Sequence, residues 1–395
     1  MEITQSEIGS RIEKLKILME KRGIDISFIH HNPDLFYFTG CIQQGILVVG
    51  KDSSPRYFVR RYFDRARKES LIHDVVKIDS PVDILTGIEE EACHARVAAL
   101  SLDVLPVTLY KRLSPLIEGK EVVDLTPLIR EVRAVKSEIE VSRMRKSGNN
   151  LVKLMKKAGE LLVEGKREID LAGEIVERAL KDGHGGFIRM RNRNQELPFF
   201  HILSGPSGAV GTYTDTPLGG DGPDRSFPVG PGTRVIGKRE PVIVDMMWVE
   251  QGYITDMSRV FSLGGKIEDP EIERAHEVAI EILRNVEGMI RPGQRSEDVY
   301  LKSVEIAERE GLEECFMGIP GNRVKFLGHG LGVEVDEYPF IAEGINFIIR
   351  KGMTLALEPK FVFPGKGAVG IENTYLVGEE GLENLTEMEE GIIII

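Results

Sequence analysis

Apolar positions in the first third of the chain alternate between the spacing of a helix and that of a strand. After the helix-start signal Thr4-x-x-Glu7, apolar side chains recur every three or four residues until Gly23 ends the pattern. Short apolar runs predict strands, and a later stretch predicts a helix followed by a strand. The strands are predicted at 24–30, 45–50 and 55–60, and the helix–strand step at 91–101 and 105–110.

A long amphipathic helix begins the second part of the chain. Its apolar face repeats at steps of three, four or seven residues, and Ser137 is its predicted N-cap. Further helices are predicted at 168–181, 270–290 and 297–310, and strand runs separated by glycine lie between and after them. Helices and strands are therefore segregated, which favours an α+β domain over residues 134–395, preceded by an α/β domain over residues 1–133.

Length and charge narrow the functional classes. The 395 residues suit two domains, and 42% apolar with 29% charged residues is typical of a folded globular protein. The formal net charge of −12 argues against a protein that binds nucleic acid or anionic lipid through a basic face.

Cysteine usage and hydropathy bear on location. Three widely spaced cysteines do not form a disulfide framework, so we expect a reducing cytoplasm. The polar start of the chain does not resemble a signal peptide, and the sequence contains no apolar run of about 18 residues. The apolar segment 391–395 is expected to pair as an edge strand or to dock on a partner.

Two acidic residues stand inside apolar strand runs. Asp245 lies in PVIVDMMWV and Asp256 in YITDMSRVF, at equal distances from the centre of the turn between these runs. We therefore expect the two carboxylates to face each other across a hairpin. Directly opposed like charges destabilise a sheet, and a bound cation removes that penalty.

A second pair repeats the arrangement. Glu358 and Glu372 are equidistant from Gly365, which lies in the turn PGKG. Between the two hairpins, His329 stands in GHGLG, where the glycines allow a close approach of a ligand or another backbone. Four carboxylates and one imidazole suit two bridged divalent metal ions. Manganese is expected first, and cobalt, zinc or iron are the alternatives.

A single acidic residue in a strand is more often an edge or turn residue than a ligand. Two opposed pairs together with a histidine between glycines reverse that preference. The other histidines carry little signal, although His184 and His201 fall near the entry to the same domain.

These residues resemble the motifs of the pita-bread metallopeptidases, which include aminopeptidase P, prolidase, methionine aminopeptidase and the related creatinases. The similar motifs are the two Asp residues eleven positions apart, Met257-Ser258-Arg259 after the second Asp, Gly328-His329-Gly330-Leu331-Gly332, Glu358-Pro359 and Ile371-Glu372. The resemblance implies that the metal ligands are Asp245, Asp256, His329, Glu358 and Glu372.

The resemblance extends over the whole chain. Residues 32–40 (NPDLFYFTG) are similar to the creatinase-type N-terminal domain, and residues 133–137 resemble the link into the catalytic domain. A large N-terminal domain implies similarity to aminopeptidase P and prolidase rather than to methionine aminopeptidase.

Three positions depart from the family pattern. Thr212 stands near the position of one family histidine, Asp336 replaces a second, and Gly370 stands where an arginine is usual. In the family these residues handle the substrate and the charge of the transition state. We therefore expect an intact metal site with weak or altered Xaa-Pro cleavage.

Arginines at 189, 191 and 193 lie near the expected mouth of the cleft. Arginine binds carboxylates through two hydrogen bonds, so Arg189 and Arg191 are candidates for a substrate clamp. A solvated loop is the alternative.

The sequence thus predicts a dinuclear metal-dependent hydrolase that resembles Xaa-Pro aminopeptidase or prolidase. His329, Glu358 and Asp336 are the candidate catalytic residues: Glu358 would also move the proton, as its family counterpart does, and Asp336 would replace the lost histidine as an acceptor. Thr212, Arg189 and Arg191 are the candidate substrate-binding residues. A homodimer is expected. The alternatives are a lyase or hydrolase of a small acid on the same metal site, or a non-catalytic metal-binding relative.

Overall fold

The computed structural model describes residues 2–191, 194–198 and 200–395, with the exception of the side chains at 91 and 92. The chain divides into two compact units, Met1–Arg133 and Ala134–Ile395. No helix in the described part of the chain is both long and apolar enough to cross a membrane.

The first unit is an α/β domain built on a six-stranded mixed sheet in the order β4-β3-β2-β1-β5-β6. Its strands are β1 Ile26–Ile29, β2 Gly45–Gly50, β3 Arg56–Val59, β4 Asp74–Lys77, β5 Val97–Leu100 and β6 Glu121–Asp124. Its α-helices are α1 Gln5–Lys21, α2 Asn32–Thr39, α3 Phe63–Glu69, α4 Ile84–Gly87, α5 Glu89–His94, α6 Val107–Leu113 and α7 Thr126–Ala134, and 3₁₀ turns span Pro81–Asp83 and Ser114–Leu116.

The predicted start of this unit is confirmed, and one later step is wrong. The Thr4 side chain accepts a hydrogen bond from the Glu7 amide, and the apolar stripe of α1 is buried. Residues 97–100, at the end of the helix predicted at 91–101, form β5 between two parallel strands. Most of the strand predicted at 105–110 lies instead in α6, Val107–Leu113. The short VAAL run gains more from burial in the sheet than from helix formation, and Pro106, which lacks an amide hydrogen, stands just before α6.

The second unit contains long helices and three antiparallel or mixed sheets. Its α-helices are α8 Glu138–Leu161, α9 Glu168–Lys181, α10 Pro270–Met289 and α11 Ser296–Arg309, and 3₁₀ turns span Gly205–Ala209 and Glu313–Cys315. Its strands are β7 Phe200–Ser204, β8 Val242–Glu250, β9 Tyr253–Ser262, β10 Phe326–Gly330, β11 Glu337–Ala342, β12 Thr354–Leu357, β13 Lys360–Phe363, β14 Gly367–Gly370, β15 Asn373–Val377, β16 Leu382–Asn384 and β17 Ile393–Ile394.

The sheets of this unit run in the orders β17-β9-β8-β7, β11-β10-β12-β15-β16 and β13-β14. Ser137 caps α8 in a capping box with Glu140, and Asp269 caps α10 just before Pro270. Apolar residues of α8 and α9 pack with those of β7, β8 and β9, and α10 and α11 pack with the other two sheets. The α+β class predicted for this unit is confirmed.

The apolar end of the chain forms part of its own sheet. Ile393 pairs with Phe261 of β9 in parallel, and the carbonyl of Ile395 accepts a hydrogen bond from Gly264 at 2.7 Å. Of the two expectations for this segment, pairing as an edge strand is the one observed.

Candidate metal centre

The hairpin β8–β9 carries Asp245 and Asp256, but not in the predicted register. Asp245 pairs with Ser258, and Asp256 pairs with Met247, so the ladder is shifted by two residues. The two carboxylates therefore lie on one face in diagonal positions and are not directly opposed. The predicted register of this pair is therefore wrong, although both side chains lie on the same face of the hairpin, as expected.

The turn explains the shift. Glu250 pairs with Tyr253, and the two residues between them, Gln251 and Gly252, both have positive φ, at 49° and 90°. This is a two-residue turn of the type that matches the twist of paired strands. The prediction placed the centre of the turn one residue too early, which moves each pairing by two residues and leaves the side-chain face unchanged.

A row of paired residues crosses the strands and ends at a second carboxylate. His201 on β7 pairs with Asp245, Asp245 pairs with Ser258, and Ser258 forms a bridge to Glu372. The Ser258 hydroxyl donates a hydrogen bond of 2.8 Å to Oε2 of Glu372. Asp256 is fixed in the neighbouring row, because its backbone N–H and C=O both bond to the Thr374 hydroxyl at 2.9 Å.

The register predicted around Gly365 is confirmed. Strands β13 and β14 pair about this turn, and β12 and β15 continue the same register beyond them. Glu358 and Glu372 occupy the gap between the two ladders, where the chain passes from one sheet to the next. Their side chains are thus held at a break in the sheets and not inside a ladder.

His329 lies on β10 between two close backbone approaches. A Cβ atom at Gly328 would lie 2.1 Å from the carbonyl oxygen of Ala356, and one at Gly330 would lie 2.2 Å from that of Tyr338. Only glycine fits at both positions, which lets β11 and β12 flank His329 tightly. The His329 Nε2 atom is 3.5 Å from Oε1 of Glu358.

All five predicted ligands line one cavity of about 710 Å³. Ligand atoms of Asp256, His329 and Glu372 lie within 4.8 Å of one another. Oε1 of Glu372 is buried and has no hydrogen-bond partner among the described residues, so it is an available acceptor. These three side chains fit a divalent cation.

A lysine also lies among these carboxylates. The Lys360 ammonium, 1% exposed, donates hydrogen bonds to Oδ2 of Asp245 at 2.9 Å, Oε2 of Glu358 at 2.5 Å and Oε2 of Glu372 at 3.0 Å. Burial acts to lower the pKa of Lys360, but the three carboxylates raise it well above its ordinary value. The ammonium is therefore a fixed positive charge at this site.

The pKa values of the other carboxylates at the site depend on their charged neighbours. Burial, together with Glu372 and Asp245, raises the pKa of Asp256 well above its ordinary value. Burial also raises the pKa of Glu372, to about 7, against the effect of Lys360. For Glu358, burial is outweighed by Lys360 and His329, and the pKa is lowered. Asp256 and Glu372 are therefore the two carboxylates whose negative charge is least stabilised by their neighbours.

Of the predicted substrate-binding residues, some line the cavity and others do not. Thr212 and Asp336 line the cavity, although the Thr212 hydroxyl donates to the carbonyl of Pro228 at 2.8 Å. The Arg191 side chain is 1% exposed and pairs with Glu334 at 3.4 Å.

Within the described part of the chain, the cavity wall includes Met190 but neither Arg189 nor Arg191. The expected clamp is corrected for Arg191, whose guanidinium is bound to a buried carboxylate, and Arg189 is not brought to the cavity. Arg193 lies outside the described residues.

Of the cavity residues, sequence reasoning missed Lys360 and left His201 ambiguous, near the entry to this domain. Burial lowers the pKa of His201 and favours its neutral form. The pairing of His201 with Asp245 could not be predicted, because the register of β7 against β8 was unknown and the residues around His201 show no metal-binding spacing. Lys360 carried little signal, since a lysine at the start of a strand, here directly after Glu358-Pro359, usually extends to solvent.

Comparisons with family profiles, related sequences and solved structures agree with one another. The sequence profile of Metallopeptidase family M24 matches residues 142–379, and that of the Creatinase/Prolidase N-terminal domain matches residues 11–135. The Xaa-Pro dipeptidase of Pyrococcus horikoshii is 24% identical over 390 residues, which cover 98% of this chain and 99% of that protein. The probable dipeptidase PepE of Mycobacterium tuberculosis is 27% identical over 325 residues, 82% of this chain and 76% of that protein.

Solved structures share the fold. The prolidase from Pyrococcus horikoshii OT3 superposes with a TM-score of 0.81 at 23% identity, covering 97% of this chain and all of that one. The dipeptidase PepE from Mycobacterium ulcerans gives a TM-score of 0.82 at 23% identity and covers both chains completely.

Proposed function

Since the chain belongs to metallopeptidase family M24, we propose that it hydrolyses short peptides at the cavity of its second unit. The observation that carries the proposal is the convergence of Asp256, His329 and Glu372 on one point of that cavity. With Asp245 and Glu358 they form the proposed metal-binding set. Manganese is the first ion to test, because the set is rich in carboxylate oxygen.

When bound, a divalent ion supplies a water of lowered pKa and stabilises negative charge on the carbonyl oxygen of the substrate. Glu358 is the proposed proton carrier. Its Oε1 atom lies 3.5 Å from His329 and its Oε2 atom 2.5 Å from Lys360, so both oxygens are held in fixed directions. A carboxylate kept ionised by these neighbours is suited to accept a proton during attack on the carbonyl.

Asp336 is the proposed contact for the substrate's amino terminus. Its Oδ1 atom accepts a hydrogen bond from the backbone of Arg191 at 3.0 Å, which fixes the side chain in the cavity wall. An ionised carboxylate accepts hydrogen bonds but donates none, so it suits an ammonium and not a developing oxyanion. Thr212 lines the same wall and contributes shape, because its hydroxyl is bonded to Pro228.

We expect this pocket to cleave Xaa-Pro dipeptides slowly. A general acid or base contributes about 10²–10⁴-fold, and the residues at 212 and 336 do not replace a hydrogen-bond donor to the oxyanion. The test is turnover of a dipeptide panel, with and without proline in the second position, by protein loaded with Mn²⁺. Turnover of Xaa-Pro in the ordinary range of about 1–10³ s⁻¹ would contradict altered specificity. Turnover of small carboxylic acids without any peptide cleavage would favour the alternative reaction.

Replacing Asp336 by His tests the role of this residue. A neutral imidazole restores a donor, so Asp336→His should raise Xaa-Pro turnover about tenfold or more. The matched control is Asp215→His, which makes the same change at a more exposed carboxylate of the same cavity. Equal effects of the two variants would show that a change of charge alone is responsible.

A cytoplasmic location is supported by three cysteines that are free in the structure. We also propose a homodimer; since the apolar tail is paired within its own chain, another surface would form the contact. Light scattering at twice the chain mass of 44.1 kDa would support the dimer, and the mass of one chain would exclude it.

A further inference from the structure

We infer that the Lys360 ammonium takes the place of one of the two cations for which the carboxylate set is arranged. The chain then binds a single divalent ion, held by Asp256, His329 and Glu372. This inference rests on the proposed ligand set but not on the proposed reaction.

The contacts of Lys360 are those of a cation bound at the centre of a site. An ammonium has three N–H donors, and Lys360 directs hydrogen bonds to three carboxylates at 2.5–3.0 Å. Its donors are thereby all used. The side chain is 1% exposed, so water does not compete for these bonds.

A metal ion cannot share this position. Divalent ions bind carboxylate oxygens at about 2.0–2.6 Å, depending on the ion. An ion coordinated by the same oxygens of Asp245, Glu358 and Glu372 would overlap the Lys360 nitrogen. Two positive centres at such a distance in a buried cavity also repel strongly.

The opposite strand leaves room for the lysine. Gly370 pairs with Lys360 across β13 and β14, and a Cβ atom at 370 would lie 2.7 Å from both Cα and Cγ of Lys360. It would also lie 2.5 Å from the carbonyl oxygen of Pro359. The backbone of Pro359 and Lys360, together with the first part of the lysine side chain, therefore requires glycine at 370.

What remains is a site for one ion. Lys360 forms no hydrogen bond to Asp256 or His329 in the described structure, and these two have ligand atoms within 4.8 Å of each other and of Glu372. Glu372 contributes to both cations, because Oε2 accepts from Lys360 while Oε1 is available. Three protein ligands leave positions open for water and substrate.

Counting bound manganese tests the inference. The full chain is stripped with chelator, equilibrated with Mn²⁺ by dialysis, and measured by mass spectrometry and electron paramagnetic resonance. We expect one ion per chain, with the hyperfine sextet of an isolated Mn²⁺. In Lys360→Met we expect two ions per chain and the broadened spectrum of a coupled pair. Lys366→Met, which removes an exposed lysine from the same hairpin, should keep one ion.

Two ions in the wild-type protein, or none, would overturn the inference, as would one ion in a folded Lys360→Met variant. A second pair of variants protects the test against misfolding of that protein. In the wild-type background Asp256→Asn should lose the ion, whereas Asp245→Asn should retain it; the reverse result would also overturn the inference. A protein with one ion that cleaves no peptide would refute the proposed function and leave this inference standing.

Discussion

At the scale of single residues, the buried carboxylates of the second unit differ in the donors that stabilise them. Glu168 accepts hydrogen bonds from the backbone amides of Ser204 and Gly232 and from the Ser204 hydroxyl, at 2.7–3.0 Å, which is how a structural acid is stabilised. In the cavity, by contrast, Asp245, Glu358 and Glu372 share one ammonium, that of Lys360. Buried negative charge without a full set of donors is the property expected of a cation-binding site.

Ser258 links the strand hairpin to the proposed ion, because its hydroxyl orients Glu372. Groups that orient metal ligands typically change metal affinity about 10–100-fold when removed. We therefore predict that Ser258→Ala weakens Mn²⁺ binding by at least tenfold, as measured by isothermal titration calorimetry.

The control for this variant is Ser262→Ala on the same strand, whose hydroxyl bonds to the carbonyl of Gly265 away from the cavity. Unchanged affinity in Ser258→Ala would show that Glu372 is held by its strand alone.

The sequence identified the ligand types well and their cationic neighbour poorly. Asp245, Asp256, Glu358 and Glu372 are conspicuous because acids are rare in apolar strands. Lys360 is less conspicuous, because a lysine at the start of a strand usually extends to solvent. The direction of such a long side chain is decided by the packing of other elements, which local sequence does not contain.

At the scale of elements, the two hairpins show why register is harder to predict than face. The centre predicted for the turn at Gly365 is correct, so the predicted pairing is correct along the whole ladder. The turn at Gln251 and Gly252 was centred one residue early, and the error of two residues in pairing came from the turn alone. The period of two along a strand preserved the face in both cases.

Helix α10 carries a buried histidine that makes stability depend on pH. Burial lowers the pKa of His276 to about 4, against a hydrogen bond to the Glu390 carbonyl and with a smaller effect of Arg259. The unfolded chain therefore binds this proton more readily than the folded one. The contribution of His276 to stability is complete above pH 6.5 and declines as the pH falls toward 4.

We predict that the wild-type protein loses about 3 kcal/mol of unfolding free energy through this group over that interval. In denaturant unfolding with chelator present, His276→Gln should remove most of this dependence of the unfolding free energy on pH. His73→Gln, at an exposed position, is the control. A slope that is the same in all three proteins would contradict this assignment.

At the scale of the whole molecule, the α+β architecture followed from the segregation of helices and strands along the chain. What the sequence could not provide was the way the sheets meet. The bridge between Ser258 and Glu372 and the two hydrogen bonds between the Asp256 backbone and the Thr374 hydroxyl join residues more than 100 positions apart. Such contacts depend on tertiary packing, which periodicity does not encode.

Binding of a metal ion to the folded chain alone should raise its stability. At 100 times the dissociation constant one site contributes about 2.7 kcal/mol. For the wild-type protein we predict a rise of a few degrees in melting temperature on adding Mn²⁺ after chelation. The rise should be larger in Lys360→Met, where the carboxylates lack their ammonium; a smaller rise would show that Lys360 does not offset their repulsion.

The most direct test of the central claim is the rate of dipeptide hydrolysis by chelated protein as Mn²⁺ is added back. We predict no cleavage without the ion, slow cleavage that saturates as the site fills, and loss of cleavage in Asp256→Asn despite an unchanged fold by circular dichroism. Hydrolysis that persists in chelator, or in folded Asp256→Asn, would contradict a metal-dependent peptidase centred on this cavity.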